Sequence, residues 1–177
     1  MKRKISRVKF YFLKSLVGFL VYIDSRWYMK YYHKLLQSAG INFTGIPRFI
    51  AKSVRFDDFD RITIGDRFVA SMNVHFLTHD YSLTTALIAI GEKPQTDVGM
   101  LRNIVVGDNV FIGMNTILLP GTTIGDNVII GAGSVVRGRV PSNSVIAGNP
   151  VQILGSIEEY AEKQKSRINQ GLQIDKK

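Results

Sequence analysis

Residues 73–82, NVHFLTHDYS, hold two of the chain's three histidines together with an amide and a carboxylate. An imidazole is the side chain best matched to moving a proton near neutral pH. Asp80 follows His79 directly, so a carboxylate is at hand to orient the ring, to hold what the ring acts on, or merely to open a turn. Asn73 and His75 lie just upstream. Other chemistries are poorly supplied. The chain has no cysteine, which excludes a thiol nucleophile, a disulfide framework and thiolate-bound zinc. A zinc site built on histidine would need three in suitable positions, and the third, His33, is far away in sequence. No metal is expected.

The elements that must position these residues announce themselves by a repeat. From Val106, every sixth residue is aliphatic: Val106, Ile112, Leu118, Ile124, Ile130 and Val136. A second column four residues on, Val110, Thr116, Thr122, Val128, Ser134 and Val140, is small or β-branched, and four of the six aliphatics are followed by glycine. A period of six fits neither a helix nor a strand alternation. It fits a triangular coil whose short extended sides each point one large side chain inward and end at corners of glycine or Asp-Asn. Three sides make a coil, and coils must stack to close their backbone hydrogen bonds and bury a continuous core.

Carried upstream, the same phase reaches Ile64-Gly65-Asp66 and places the start of the coil near Ile46. Phe76 falls at an inward position, so His79, three residues later, faces outward. The pattern fails over residues 82–99, where Pro94 occupies an inward position; this stretch reads as an excursion thrown out of the coil beside His79. Ser156-x-x-Glu159 is a capping-box pattern that opens a polar helix. The chain therefore divides into a leader (1–45), a coil (46–154) with its excursion, and a C-terminal helix and tail (155–177).

Charge is concentrated at one end. The first 34 residues carry nine Lys or Arg against the single Asp24, which is eight of the chain's net nine positive charges. Phe, Tyr, Leu and Val are interleaved with them. Val8, Phe12, Leu16, Phe19 and Ile23 recur at helical spacing and predict an amphipathic helix, yet the apolar run Phe10–Ile23 is shorter than the roughly 20 residues that span a bilayer. Residues 22–27 make a poor cleavage site, so the leader is expected to be retained. Such a helix packs on its own domain or a sister subunit, or lies on an anionic membrane face. No nucleic-acid-binding motif accompanies the charge, and no nucleic-acid partner is expected.

The stretch IVVGDNVFIGMNTILLPGTTIGDNVIIGAGSVV, followed by VPSNSVIAGNPVQIL with AGNP at Ala147–Pro150, resembles the hexapeptide-repeat acyltransferases, in particular their maltose, galactoside and polysaccharide O-acetyltransferase branch. The resemblance covers residues 46–153. It implies an all-β fold, a left-handed parallel β-helix, flanked here by an N-terminal helical segment and a C-terminal helix. The left hand comes from the resemblance alone, because the general rule for parallel crossovers gives the right hand.

The resemblance further implies a homotrimer with its site between subunits, acetyl-CoA as donor, and His79 as the base that takes the proton of an attacking sugar hydroxyl. It marks Asn73 as an acceptor-binding candidate, beside Asp80, which its place next to His79 already makes one. Met114 and Ala132 match cofactor-contacting positions. Arg137-Gly138 stands where relatives carry Thr-Lys, and Gln152 where they carry arginine, so Arg137 and Arg139 become the candidates for the cofactor's phosphates. The expected setting is the cytoplasm, with the leader of residues 1–34 as the candidate membrane contact. Three other readings stay open: an amine acceptor on an amino sugar, a non-catalytic trimeric scaffold, and the zinc-bearing carbonic anhydrase relatives.

Overall fold

The computed structural model describes residues 6–174, and they form a parallel β-helix of three faces. The first face stacks β1 (Asn42–Phe43), β4 (Ile62–Ile64), β9 (Ile104–Val106), β12 (Thr123–Ile124) and β15 (Arg139–Val140). The second stacks β2 (Phe49–Ile50), β5 (Val69–Ala70), β10 (Phe111–Ile112), β13 (Ile129–Ile130) and β16 (Ser144–Gly148). The third stacks β3 (Arg55–Phe56), β6 (His75–Phe76), β11 (Ile117–Leu118) and β14 (Val135–Val136). The aliphatic column from Val106 to Val136 is fully or almost fully buried. Hydroxyls in the second column are satisfied by corner carbonyls: Thr122 donates to Leu119 at 2.7 Å and Ser134 to Gly131 at 2.6 Å, each three residues back, and Thr116 to Gly131 of the next coil at 3.3 Å.

Corners explain the repeat's polar residues. Asn73, Asn109, Asn115, Asn127 and Asn143 all adopt left-handed backbone angles, with φ between 55° and 58°, which asparagine tolerates better than most side chains. Their amides form a ladder, Asn109 to Asn127 and Asn127 to Asn143 at 2.9 Å each. The Asp66 and Asp108 amides each donate to the carboxylate of the coil above, Asp108 and Asp126, at 2.7 Å. Gly113 allows the coils to touch: a Cβ there would stand 2.5 Å from the Ala132 nitrogen.

Coil length is not constant, and this moves two expected positions. Thr123 sits over Val105 and Ile129 over Phe111, an 18-residue step, but Val69 pairs with Phe49, a step of 20. Two extra residues shift the inward phase of the first coil. Ile50 and Phe56 therefore occupy the large inward positions, and Ile46 is 72% exposed. The coil begins at Asn42, before the expected Ile46, because β1 already pairs with β4.

The excursion leaves on β7 (His79–Asp80) and returns on β8 (Met100–Leu101), an antiparallel stem that carries α3 (Ser82–Ala89). At the far end β17 (Val151–Ser156) folds back antiparallel on β16 instead of continuing the coil. The Ser156–Glu159 capping box then opens α4 (Ile157–Asn169).

The near end is covered by α1 (Arg7–Phe19) and α2 (Ser25–Ala39). Asp24 caps α2 by accepting from the Arg26 and Trp27 amides. Tyr28, Tyr32 and Leu36 are fully buried over the first coil, with the Tyr28 hydroxyl donating to the Ile50 carbonyl at 2.7 Å. Burial raises both tyrosine hydroxyls' pKa, so both stay neutral, and of the two only the Tyr28 hydroxyl finds an acceptor among the described residues. In α1 the side that packs inward is Phe10 with Leu13 and Val17, opposite to the stripe of Val8, Phe12 and Leu16.

Candidate active site

The third face ends at a prism edge where the chain's chemistry collects. On the first coil the edge is Asp57-Asp58, directly after Phe56; on the second it is Thr78-His79, directly after Phe76 and Leu77. The two coils clasp each other there. Thr78 donates its hydroxyl to Asp58 Oδ2 at 2.8 Å and its amide to Asp57 Oδ2 at 3.3 Å, while the Asp58 amide donates to Thr78 Oγ1 at 3.2 Å. Thr78 is fully buried, so the clasp is rigid where it meets the core.

His79 Nδ1 lies 3.3 Å from Asp58 Oδ2 and 3.6 Å from Asp57 Oδ2. An ionised carboxylate can only accept a hydrogen bond, so it places the proton on Nδ1 and leaves Nε2 with its lone pair free. That is the tautomer a general base needs. Partial burial alone would raise the Asp58 carboxyl's pKa, but hydrogen bonds from Thr78 and His79, with the charge of Arg7, outweigh it and hold that carboxyl below the usual range. Arg7 Nη2 reaches Asp58 Oδ1 at 3.5 Å, tying the start of α1 to this edge.

Asp80 is placed otherwise than an orienting partner for His79. Its Oδ1 accepts the Ser82 amide at 2.8 Å and so starts α3; that bond, with a smaller pull from Arg137, lowers its pKa. Asp80 also lines a pocket of about 340 Å³ with Met100, Arg102, Pro120, Gly121, Arg137 and Gly138, on the same edge as His79. Gly121, at φ 86°, leaves room for the Arg102 stem: a Cβ would meet Arg102 Cδ at 3.1 Å. Arg137 is exposed at this pocket and Arg139 lies beyond it on the first face.

Asn73, Met114 and Ala132 sit on a different edge, between the second and third faces. Asn73 donates its side-chain amide to Asn115 at 3.2 Å and its backbone amide to Ser53 at 3.0 Å. The Met114 carbonyl accepts the Gly133 amide at 2.8 Å, and the side chains of Met114 and Ala132 are exposed. His75 stands on the third face between Arg55 and Ile117, and His33 packs edge-on against Phe43 at 4.5 Å under the helical cover, where burial lowers its pKa. Among the described residues no cluster of three His, Cys, Asp or Glu is arranged to hold a metal ion.

Asp58 and Arg102 are the residues that sequence reasoning missed. In the strict six-residue phase Asp58 falls at an inward position; the two-residue insertion in the first coil turns it to the corner below His79. The available signal was the run Asp57-Asp58, an acidic pair too polar for the interior of a prism.

Comparison with known proteins agrees with this architecture. The family described as "Bacterial transferase hexapeptide (six repeats)" matches residues 103–138. Protein CapG of Staphylococcus aureus is 43% identical over 102 residues, covering 58% of this chain and 56% of that one. A putative acetyltransferase of Saccharomyces cerevisiae, YJL218W, is 33% identical over 140 residues, covering 71% and 69%. The crystal structure of a maltose O-acetyltransferase from Clostridium difficile 630 superposes with a TM-score of 0.60 at 25% identity, over 85% of each chain. The chain spans a little over half the length of CapG. With its six-residue repeat, its stacked triangular coils and a relative matched over most of both lengths, the chain belongs to the hexapeptide-repeat acyltransferase family and has that family's left-handed parallel β-helix.

Proposed function

We propose that this protein is an O-acetyltransferase that moves an acetyl group from acetyl-CoA to a sugar hydroxyl in the synthesis of a surface polysaccharide or lipid-linked glycan. The observation that carries the reading is the His79 ring held by Asp58 beside a pocket lined by two arginines. His79 Nε2 takes the hydroxyl proton as the oxygen attacks the thioester carbonyl. The tetrahedral intermediate collapses with loss of the coenzyme A thiolate, and the imidazolium returns its proton to the sulfur. The products are an acetyl ester and free thiol, with atoms and charge balanced and no external oxidant or reductant. Arg102 and Arg137 provide cations for phosphate groups.

The division of candidate residues between two prism edges supports a homotrimer. His79 and Arg137 lie on one edge, Met114 and Ala132 on another, and in a threefold assembly one edge of a subunit faces a different edge of its neighbour. Use of acetyl-CoA as donor would suit a cytoplasmic setting. Screening sugars and amino sugars with acetyl-CoA while following thiol release tests the proposal. Release with a hydroxyl acceptor is expected; turnover only with amines would make the enzyme an N-acetyltransferase, and none with any acceptor would leave the scaffold reading.

Asp58→Asn tests the positioning role separately. The amide can accept at one oxygen but no longer supplies charge, so kcat is expected to fall by about tenfold or more, short of the ~10⁴-fold seen when a fully buried orienting aspartate is neutralised. KM for acetyl-CoA should stay unchanged, and Asp58→Glu should restore part of the rate. The same group sets a pH dependence. Its folded pKa is depressed below the ordinary 3.8, so the clasp's contribution to stability is complete above about pH 4 and is lost as pH falls through the lower folded value. Acid unfolding of Asp58→Asn should lack that component.

A further inference from the structure

The stripe that sequence periodicity identified along α1 and the turn after it is left largely uncovered by the described residues. Val8 is 83% exposed, Phe12 65%, Leu16 57%, Phe19 66% and Ile23 70%, while the opposite side of the helix packs on the core. α2 continues the surface with a different pattern. Its outward residues up to Lys34, apart from the leading Ser25, are Arg26, Trp27, Lys30, Tyr31 and Lys34, so every one is aromatic or basic. Lys9, Lys30 and Lys34 are exposed and form no salt bridge among the described residues. Asp24, the one acid of this region, is occupied in capping α2 and pairing with Arg26.

From this arrangement we propose that the α1–α2 face docks on an anionic lipid bilayer, with α1 lying in the plane of the headgroups. Apolar side chains on α1 would enter the acyl boundary, Trp27 and Tyr31 would sit at headgroup level where amphipathic rings are favoured, and the free lysines would meet lipid phosphates. No helix among the described residues is long and apolar enough to cross a membrane, so the contact is peripheral. Charge selects this occupant over a second copy of the same face. Lys9, Lys30 and Lys34 stand exposed on this face, and two such faces brought together would set cations against cations. The anionic lipids of a cytoplasmic leaflet supply the complementary sign, and a docked enzyme would hold His79 near acceptors carried in that leaflet.

The docking face is independent of the transfer reaction and is tested without it. The full chain is spun with vesicles of phosphatidylcholine alone or mixed with phosphatidylglycerol, at low and high salt. Binding only to the anionic vesicles, weakened by salt, is expected. A Val8→Ser, Phe12→Ser, Leu16→Ser variant should lose at least about tenfold in partitioning through lost apolar insertion. A Lys9→Gln, Lys30→Gln, Lys34→Gln variant should lose roughly 100-fold, at about 1 kcal/mol per lysine near the surface. All six side chains are exposed, so both variants should keep the wild-type circular dichroism, oligomer size and thiol release with a soluble acceptor. A wild-type chain that stays in solution with anionic vesicles at low salt would overturn the proposal. So would serine variants that bind as well as wild type, or that change oligomer size, which would assign the stripe to a sister subunit.

Discussion

Alanine at position 79 is expected to slow thiol release by about 10²- to 10⁴-fold, the contribution of a positioned general base. Binding of acetyl-CoA should be unchanged, because the ring is held by Asp58 and packs beside Tyr81 at 5.4 Å, and neither contact belongs to the arginine pocket. The side chain is 35% exposed, so its removal leaves no closed cavity and the unfolding midpoint should hardly move. Calorimetric titration of the cofactor and steady-state turnover, run on the same preparation, separate the two expectations. Near wild-type turnover in the variant would remove His79 from the mechanism. His79→Gln should be as slow as alanine, since an amide keeps hydrogen bonding but cannot take up a proton at neutral pH.

Much of this was legible in the chain because a repeat is a redundant signal. The aliphatic positions from Val106 to Val136 recur on an 18-residue coil with no insertion, and all are buried. His79 could be placed outside the prism from its spacing to Phe76, and beside the excursion from the failure of the repeat after Ser82. What could not be read was whatever depended on a coil of another length. The 20-residue first coil exposes Ile46 and swings Asp58 under His79, and the 16-residue last coil, Ile129 to Val145, precedes a strand that reverses. Helix periodicity gave the stripe on α1 correctly but not its direction. An apolar stripe facing the core and one facing outward have the same sequence pattern, and it is the side of Phe10, Leu13 and Val17 that packs.

The largest loss of stability is expected from Phe76→Ala, and it should carry a loss of activity with it. Phe76 is fully buried, with its ring 4.9 Å from Phe56 and 6.3 Å from Phe68, and it stands in register between Phe56 and Leu118. Truncating a buried phenylalanine costs about 3–5 kcal/mol through lost transfer energy and the cavity left behind. A urea midpoint shifted down at constant slope is the expected readout. The stacked pair also sets the register of the site, because Asp57-Asp58 follows Phe56 directly and Thr78-His79 follows Phe76 by two residues. A relaxed cavity would let the first coil move against the second and lengthen the His79–Asp58 contact, so kcat should fall even where the variant is folded. Ile130→Ala, in the fourth coil and equally buried, is the control. It should cost about 2–5 kcal/mol yet leave kcat close to wild type in the folded enzyme. Equal losses of kcat in the two variants would show that activity follows global stability, and the aromatic pair would then have no special hold on the imidazole.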